Sequence, residues 1–198
     1  EEYNTIEPEI NIAVSETEDA KTCLSPEDQL SFIRAVYGAH NGVYRMSPDI
    51  EDLVETSNNL ARVEAKEGKI EILCLTRSSV ESGKWDLANN LTATFELAGF
   101  AVSTGGSYPG WKPNRNSEIL TVLEKKYESL FNEKPRVMAC HAGLECGILG
   151  TNYPEMDMIS FGPTIKGAHS PDERASITSA QKYWKFTLEV LNDIPAKA

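Results

Sequence analysis

Three histidines are the side chains in this sequence best suited to catalysis or metal binding, because neutral imidazole is both a metal ligand and a general base near neutral pH. They are His40, His141 and His169. His141 shares a loop of small residues with Glu145, and His169 lies in a loop punctuated by glycine and proline. Small residues let a backbone approach a ligand closely, so both loops are candidate sites, whereas His40 is predicted to be structural. By residue type alone, the alternatives are surface histidines and an acid that begins a helix.

Several common kinds of site are missing. The sequence has no His-x-Asp and no His-Glu-x-x-His pattern, so we predict no self-contained zinc site. It has no Gly-x-Ser-x-Gly and no phosphate-binding loop, which argues against the common serine hydrolases and nucleotide-binding proteins. The net charge of −11 argues against a nucleic-acid surface, and no apolar run approaches the roughly 18–20 residues of a membrane span. Four scattered cysteines favour free thiols in a reducing cytosol.

The elements that must position these loops fall into two groups. In the first group, hydrophobic periodicity and turn residues predict the order βαββαβ, which is a ferredoxin-like arrangement. The predicted elements are a strand at Ile6–Val14, a helix from Pro26 to Gly38, two strands within Thr56–Thr76, a helix marked by Trp85–Ala98 and a strand at Phe100–Val102. The two central strands flank Lys66–Lys69, a glycine-containing hairpin turn.

The Gly/Pro-rich stretch Thr104–Asn114 predicts a boundary between domains at 1–114 and 115–198. The second domain is predicted to alternate helix and strand. Its strands are Arg136–Cys140 and Met156–Phe161, with helical stripes before and after them. Two short strands are too few for an independent sheet, so we expect this part to belong to a larger α/β sheet. The predicted fold class is α/β, with an α+β first domain and an α/β second domain. Because residue 1 is Glu rather than Met, we also expect the sequence to begin inside a longer protein.

Five blocks of sequence carry a resemblance to a known family. They are Val54–Leu60, Tyr108–Pro113, Cys140–Gly147, Tyr153–Ser160 and Gly162–Glu173. In this order they strongly resemble the C-terminal signatures of aminoacyl-histidine (Xaa-His) dipeptidases, which belong to the co-catalytic zinc exopeptidases. The resemblance implies an α/β catalytic domain interrupted by a lid, with residues 1–114 as lid and 115–198 as the return to the catalytic domain. Most of the family's metal ligands lie in an N-terminal half that this sequence lacks, so the chain alone is expected to be inactive.

The resemblance also implies roles for individual residues. His169 matches the last zinc ligand of the family, and Arg77 matches the arginine that grips the terminal carboxylate of the dipeptide. Thr56, Ser57, Asn58 and Asn59 resemble lid residues that contact substrate, with Asn58 as the best single candidate. His141 and Glu145 resemble positions that line the cleft, where Glu145 either recognises the free amino group or supports a metal. The alternatives are a solvated arginine at a strand end for Arg77 and the plain start of a strand for residues 56–59.

A function follows from the resemblance. The intact enzyme is expected to hydrolyse unblocked dipeptides such as Xaa-His with two zinc ions and a general-base Glu that lies outside this chain. It is expected in the cytoplasm, with no nucleic-acid or membrane partner. Whether it forms a homodimer is left open. Two alternatives remain at this stage. One is a non-catalytic lid or dimerisation module, and the other is a deacetylase or carboxypeptidase of the same zinc family.

Overall fold

The computed structural model describes residues 5–20, 22–114, 116–141 and 144–194. The first group of elements comprises α1 (Pro26–Gly38), β1 (Gly42–Met46), β2 (Val54–Lys66), β3 (Lys69–Ser78) and α2 (Glu81–Leu97). The second comprises α3 (Glu118–Phe131), α4 (Glu145–Asn152), β4 (Ile165–Lys166), β5 (Arg174–Ala175) and α5 (Ile177–Asn192). The predicted α/β class is confirmed, because helices pack with antiparallel strands in the same chain.

A three-stranded antiparallel sheet of order β1-β2-β3 is the centre of the first group. The predicted hairpin is confirmed, and Lys66 pairs with Lys69 across its turn. Both turn residues have positive φ, 53° at Glu67 and 74° at Gly68. Two consecutive left-handed residues match the right-handed twist of the flanking strands, which is why two-residue hairpin turns favour glycine.

Serine side chains begin three of the helices. The Oγ atoms of Ser25, Ser117 and Ser176 accept hydrogen bonds from backbone N–H groups in the first turns of α1, α3 and α5. Each bond satisfies one of the donors that a helix leaves unpaired at its N-terminus. The predicted start of α1 at Ser25-Pro26 and its end at Gly38 are confirmed.

Helices α1 and α2 cover one face of the sheet. The buried core cluster of this layer consists of Ala35, Ala39, Leu87, Leu91 and Phe95. Leu60, Ile72 and Cys74 of the strands pack against this cluster. A second cluster joins α3 to α5, where the rings of Tyr127, Phe131, Phe161 and Phe186 meet edge to face or tilted. Each group of elements therefore has its own apolar centre.

Four predicted strands are not formed in this structure. They are Ile6–Val14, Phe100–Val102, Arg136–Cys140 and Met156–Phe161. A strand requires a neighbour to pair with, and no described strand pairs with these segments. The sequence analysis also missed β1, so the order of the first group is αβββα rather than βαββαβ. The periodicity of these segments was visible in the sequence, but their pairing was not.

The stretch from Thr104 to Asn114 has no regular secondary structure. It joins the two groups of elements, and the domain boundary there stays a prediction. Among the helices of the described residues, none is both long and apolar enough to cross a membrane.

Candidate functional site

Ser57 and Arg77 project from the sheet on the face opposite α1 and α2. In the antiparallel register of β2 and β3 they are directly opposite each other. Opposed residues share a face of the sheet, with Cβ atoms about 4.5–5.5 Å apart. Ser57 is half-buried and Arg77 is exposed. A hydroxyl group and a guanidinium group therefore lie side by side where a ligand can reach them.

His141 joins this pair from the loop before α4. Its Nε2 atom lies 2.8 Å from Ser57 Oγ, a hydrogen-bonding distance. Burial lowers the pKa of His141 below its ordinary value of 6.5, and the positive charge of Arg77 lowers the pKa further. The ring is therefore neutral at pH 7, with one nitrogen that donates and one that accepts. His141 can exchange a hydrogen bond with Ser57 without adding a second full charge beside Arg77.

An open cleft of about 470 Å³ lies against these side chains. Ser57, Arg77 and His141 line one part of it, while Val43 and Leu75 supply apolar surface. A guanidinium group binds a carboxylate through two parallel charge-assisted hydrogen bonds. The cleft thus combines one fixed positive charge, a hydroxyl and a neutral imidazole with an apolar wall. This combination suits a small ligand that carries a carboxylate.

Thr56 and Asn58 point to the opposite face of β2, towards the helices, and both are buried. The Thr56 hydroxyl lies 2.8 Å from Ser78 Oγ. The Asn58 amide donates to the carbonyl of His40 at 2.8 Å and accepts from the Thr76 hydroxyl at 3.1 Å. These hydrogen bonds hold β2 to its neighbours. Asn58 also belongs to the lining of the cleft that contains Arg77 and His141, whereas Thr56 does not.

A set of hydrogen bonds on the first turn of α2 holds the segment that follows Ser107. Glu81 accepts from Lys84 at 2.8 Å and from the backbone N–H of Gly110 at 3.0 Å. Lys84 also donates to the carbonyl of Tyr108 at 2.8 Å. The Lys84 ammonium and the Gly110 N–H hold the pKa of Glu81 below its usual range. The joining segment is thus attached to the helix that directly follows Arg77 and β3.

Helix α4 lies directly on this attached segment. A Cβ atom at Gly147 would lie 2.4 Å from the carbonyl oxygen of Pro109, which only glycine avoids. Glu145 is exposed at the first position of the same helix, where the dipole favours an acid. The close contact at Gly147 sets the distance between the start of α4 and the end of β3. His141 and Arg77 are brought together through this packing.

His169 lies apart from the cleft, in the loop between β4 and β5. The short strands pair Ile165 with Ala175 and Lys166 with Arg174. His169 has a φ of 64°, and its backbone N–H donates to the Glu173 carboxylate at 2.7 Å. Its side chain is exposed. Among the described residues, no group of three or more His, Cys, Asp or Glu side chains is placed to hold a metal ion.

The sequence analysis named Ser57, Arg77 and His141 as separate candidates but did not predict that Ser57 contacts His141. The available signal was the two-residue period of β2, because Ser57 alternates with Thr56 and Asn58 and so faces the opposite side. Nothing in the sequence identified Glu81 and Lys84, whose role depends on contacts with a distant segment. His40 lies beside Tyr44, with ring centroids 5.1 Å apart, and its buried Nε2 atom has no hydrogen-bond partner among the described residues. Its structural role stays a prediction.

Comparisons with known proteins extend over most of this chain. It is 43% identical over 177 residues to cytosol non-specific dipeptidase of Escherichia coli K12, a match that covers 89% of this chain and 36% of that protein. The crystal structure of aminoacylhistidine dipeptidase from Vibrio alginolyticus is similar to the whole chain, with a TM-score of 0.80 and 42% identity, and 40% of that structure is covered. No family model matches the sequence. The chain therefore spans less than half the length of either relative.

Proposed function

We propose that this chain, which belongs to the family of these two dipeptidases, is the C-terminal part of a metal-dependent enzyme that hydrolyses unblocked dipeptides. The likeness to both relatives supports the reaction class. Xaa-His dipeptides are the proposed substrates. We place the enzyme in the cytosol, as the name of one relative suggests.

The carboxylate end of the dipeptide is proposed to bind Arg77. The single observation that carries this proposal is the cluster of Arg77, Ser57 and His141 beside an open cleft. Two parallel hydrogen bonds from the guanidinium group would fix the carboxylate in direction as well as position. Ser57 is paired with Arg77 across the two strands, so its hydroxyl would donate a further hydrogen bond to the same carboxylate. His141 holds that hydroxyl in place through the 2.8 Å contact.

The free amino end of the dipeptide is proposed to meet Glu145. This carboxylate is exposed at the start of α4, and α4 is held against the segment beside Arg77 by the close packing at Gly147. An enzyme that recognises both charged ends rejects longer and blocked peptides, because a missing or displaced charge leaves a partner unsatisfied. Thr56 is proposed to hold β2 in register through its contact with Ser78. Asn58, which borders the cleft, stays a proposed substrate contact.

His169 is proposed as one ligand of a two-zinc centre. The His169 imidazole is exposed, and its loop is held by the hydrogen bond from the His169 N–H to Glu173. It would coordinate a metal ion together with ligands from outside the described residues. The described residues do not complete a metal site. When bound, two zinc ions would polarise the scissile carbonyl and activate a water molecule. Most ligands and the general base are proposed to lie in an N-terminal catalytic half, so the 198-residue chain alone is expected to be inactive.

The test of the carboxylate site is Arg77→Ala in the full-length enzyme. Charge-assisted hydrogen bonds contribute about 1.5–3 kcal/mol, so kcat/KM for a dipeptide with a free carboxylate should fall about 10- to 150-fold. For the same dipeptide with an amidated C-terminus, which has no carboxylate to lose, kcat/KM should change little. The zinc content should stay at the wild-type level.

A matched control is Arg62→Ala. Arg62 is an exposed arginine of the neighbouring strand β2, and it pairs with Glu64 and Glu71 rather than lining the cleft. Its loss should leave both substrates unaffected. An equal fall for the free-acid and amidated dipeptides in Arg77→Ala would exclude carboxylate binding. Preference of the intact enzyme for N-acyl amino acids would instead favour a deacetylase, and absence of any hydrolysis would favour a non-catalytic lid or a dimerisation module.

A further inference from the structure

The cleft beside Arg77 extends along the sheet, away from the guanidinium group. Val43 lies opposite Ser57 in the register of β1 and β2, and Ser57 lies opposite Arg77. These three residues form a first row across the strands. In the second row, Asn59 lies opposite Leu75, and both residues line the same cleft. The cleft therefore covers two adjacent rows of the sheet, and the charged group is in the first.

The spacing of the two rows matches the size of one amino-acid residue. Residues two apart on a strand have Cα atoms about 7 Å apart, so Leu75 lies about that far from Arg77 along β3. Adjacent strands are about 4.8 Å apart, so Val43 lies about 10 Å from Arg77 across the sheet. A carboxylate bound to Arg77 therefore brings the side chain on the neighbouring carbon atom of the ligand within reach of both apolar residues.

Leu75 and Val43 present apolar surface to water, and they are 44% and 51% exposed. A single exposed leucine is ordinary, and Leu73 on the same face of β3 is 46% exposed as well. The position of Leu75 and Val43 is what distinguishes them, because they line a cleft that also contains a fixed positive charge. Such surface fits a ligand in which an apolar group adjoins a carboxylate.

Asn59 adds a polar group to the second row. Its side chain is exposed, and its amide can both donate and accept hydrogen bonds. The side-chain oxygen of Asn41, which also lines the cleft, already accepts a hydrogen bond from the Leu60 N–H at 2.8 Å. The second row therefore favours a side chain that has an apolar body and a polar edge. An imidazole ring, with carbon atoms in its faces and nitrogen atoms at its edge, has both.

We propose that Leu75 and Val43 determine substrate specificity by holding the side chain of the C-terminal residue of the dipeptide, with Asn59 at the polar edge of that side chain. This assignment rests on the proposed function, because Arg77 must first hold the carboxylate of the same residue. A C-terminal histidine or leucine buries apolar surface against Leu75 and Val43, and that burial stabilises the bound substrate. A C-terminal glycine has no side chain to bury there.

Leu75→Ala in the full-length enzyme tests the assignment. The measured quantity is the ratio of kcat/KM for glycyl-histidine to kcat/KM for glycyl-glycine. Both dipeptides have the same carboxylate, so weaker carboxylate binding lowers both values, whereas loss of side-chain contact lowers the ratio. The ratio should fall about tenfold, the low end of the range for a lost apolar contact in a substrate pocket. Val43→Ala should lower the ratio by a smaller factor, because it removes fewer carbon atoms.

Leu73→Ala is the matched control. Leu73 is a leucine of the same strand and the same face, but it is not among the side chains that line this cleft in the described part of the chain. Its loss should leave the ratio at the wild-type value. Asn59→Ala should lower kcat/KM for glycyl-histidine more than for glycyl-leucine, because the leucine side chain has no nitrogen to bond. Circular dichroism checks that each variant is folded, and Val43→Ala gives a second test at a separate position.

The outcomes separate this assignment from the proposed function. Unchanged ratios in Leu75→Ala and Val43→Ala, in an enzyme that cleaves both dipeptides, would overturn the assignment and leave the proposed function in place. An equal fall of the ratio in Leu73→Ala would also overturn it, because the effect would not depend on the cleft. If the wild-type enzyme cleaved neither dipeptide, the proposed function itself would be refuted.

Discussion

Gly147 of α4 packs closely on the backbone of Pro109 in the joining segment, and this contact can be tested by adding one carbon atom. In Gly147→Ala the new Cβ atom would lie 2.4 Å from the Pro109 carbonyl oxygen and 3.3 Å from the Pro109 carbonyl carbon. The obstacle is backbone rather than a flexible side chain, so it cannot rotate away. The backbone behind it is also confined, since a Cβ atom at Gly110 would lie 2.8 Å from the Ser78 carbonyl oxygen.

The magnitude follows from comparison with Gly150→Ala in the same helix. At Gly150 the nearest atom to a new Cβ is the terminal methyl group of Met158, at 3.3 Å, and this methyl group can move. Replacing a helical glycine by alanine gains about 1 kcal/mol from helix propensity in either variant. Overpacking against fixed backbone costs about 1–3 kcal/mol, and that cost applies to Gly147→Ala alone. We therefore expect Gly147→Ala to be less stable than Gly150→Ala by about 2 kcal/mol.

Urea unfolding followed by circular dichroism measures this difference directly, and thermal unfolding gives a second value. For a chain of this size, about 2 kcal/mol corresponds to roughly 4–8 °C in Tm. Gly150→Ala should match the wild-type chain or exceed it slightly. If the two variants proved equally stable, α4 would not be held against the Pro109 segment, and the geometric link between Glu145 and Arg77 would fail with it.

Three further predictions concern other parts of the chain. Hydrogen bonds from the Ile119 N–H and the Ser117 hydroxyl lower the pKa of Asp157. The Asp157 carboxylate therefore stabilises the fold above its usual pKa of 3.8, and this stabilisation is lost as pH falls through the lowered pKa. The difference in unfolding free energy between wild type and Asp157→Asn, measured in urea, should be larger at pH 6 than at pH 2. In the full-length enzyme, His169→Ala should lose one zinc ion, measured by elemental analysis, and most of kcat, while its circular dichroism spectrum stays unchanged. The 198-residue chain with added zinc should show no dipeptide turnover. Limited proteolysis should first cut between Gly105 and Ser117, because exposed Gly/Pro-rich connections are nicked most readily; initial cleavage within α2 would contradict the domain division.

Much of the local structure followed from the sequence. The serine before Pro26 and the acids after it predicted the start of α1, and the glycine-containing turn between two β-rich stretches predicted the β2–β3 hairpin. These features are determined by residues that are close together in the sequence, so a short stretch of sequence is enough to predict them. The α/β class followed for the same reason.

Pairing between distant segments could not be predicted in this way. Residues 136–140 and 156–161 are apolar enough for strands, yet a ladder requires a partner whose position the local pattern does not specify. Thr56 and Asn58 show a related difficulty. Their polar character suggested ligand contact, but the register of β2 turns them towards α2 and the core, where their hydrogen bonds are internal. The residue types showed that these side chains are polar, but only the strand register shows which face of the sheet they occupy.

The candidate site itself is the strongest case of long-range dependence. Ser57 and Arg77 are placed by one hairpin, whereas His141 is 84 residues from Ser57 and belongs to the second group of elements. The Gly/Pro-rich segment between the groups reads as a loose linker, and a loose linker could not hold a 2.8 Å contact. The structure resolves this conflict within the segment, because Glu81 and Lys84 attach residues 108–110 to α2 while residues 103–107 remain exposed. The exposed part of the connection therefore lies before Tyr108. The part that carries α4 and His141 is fixed to the helix that follows Arg77, which is the condition for a carboxylate site built from both groups.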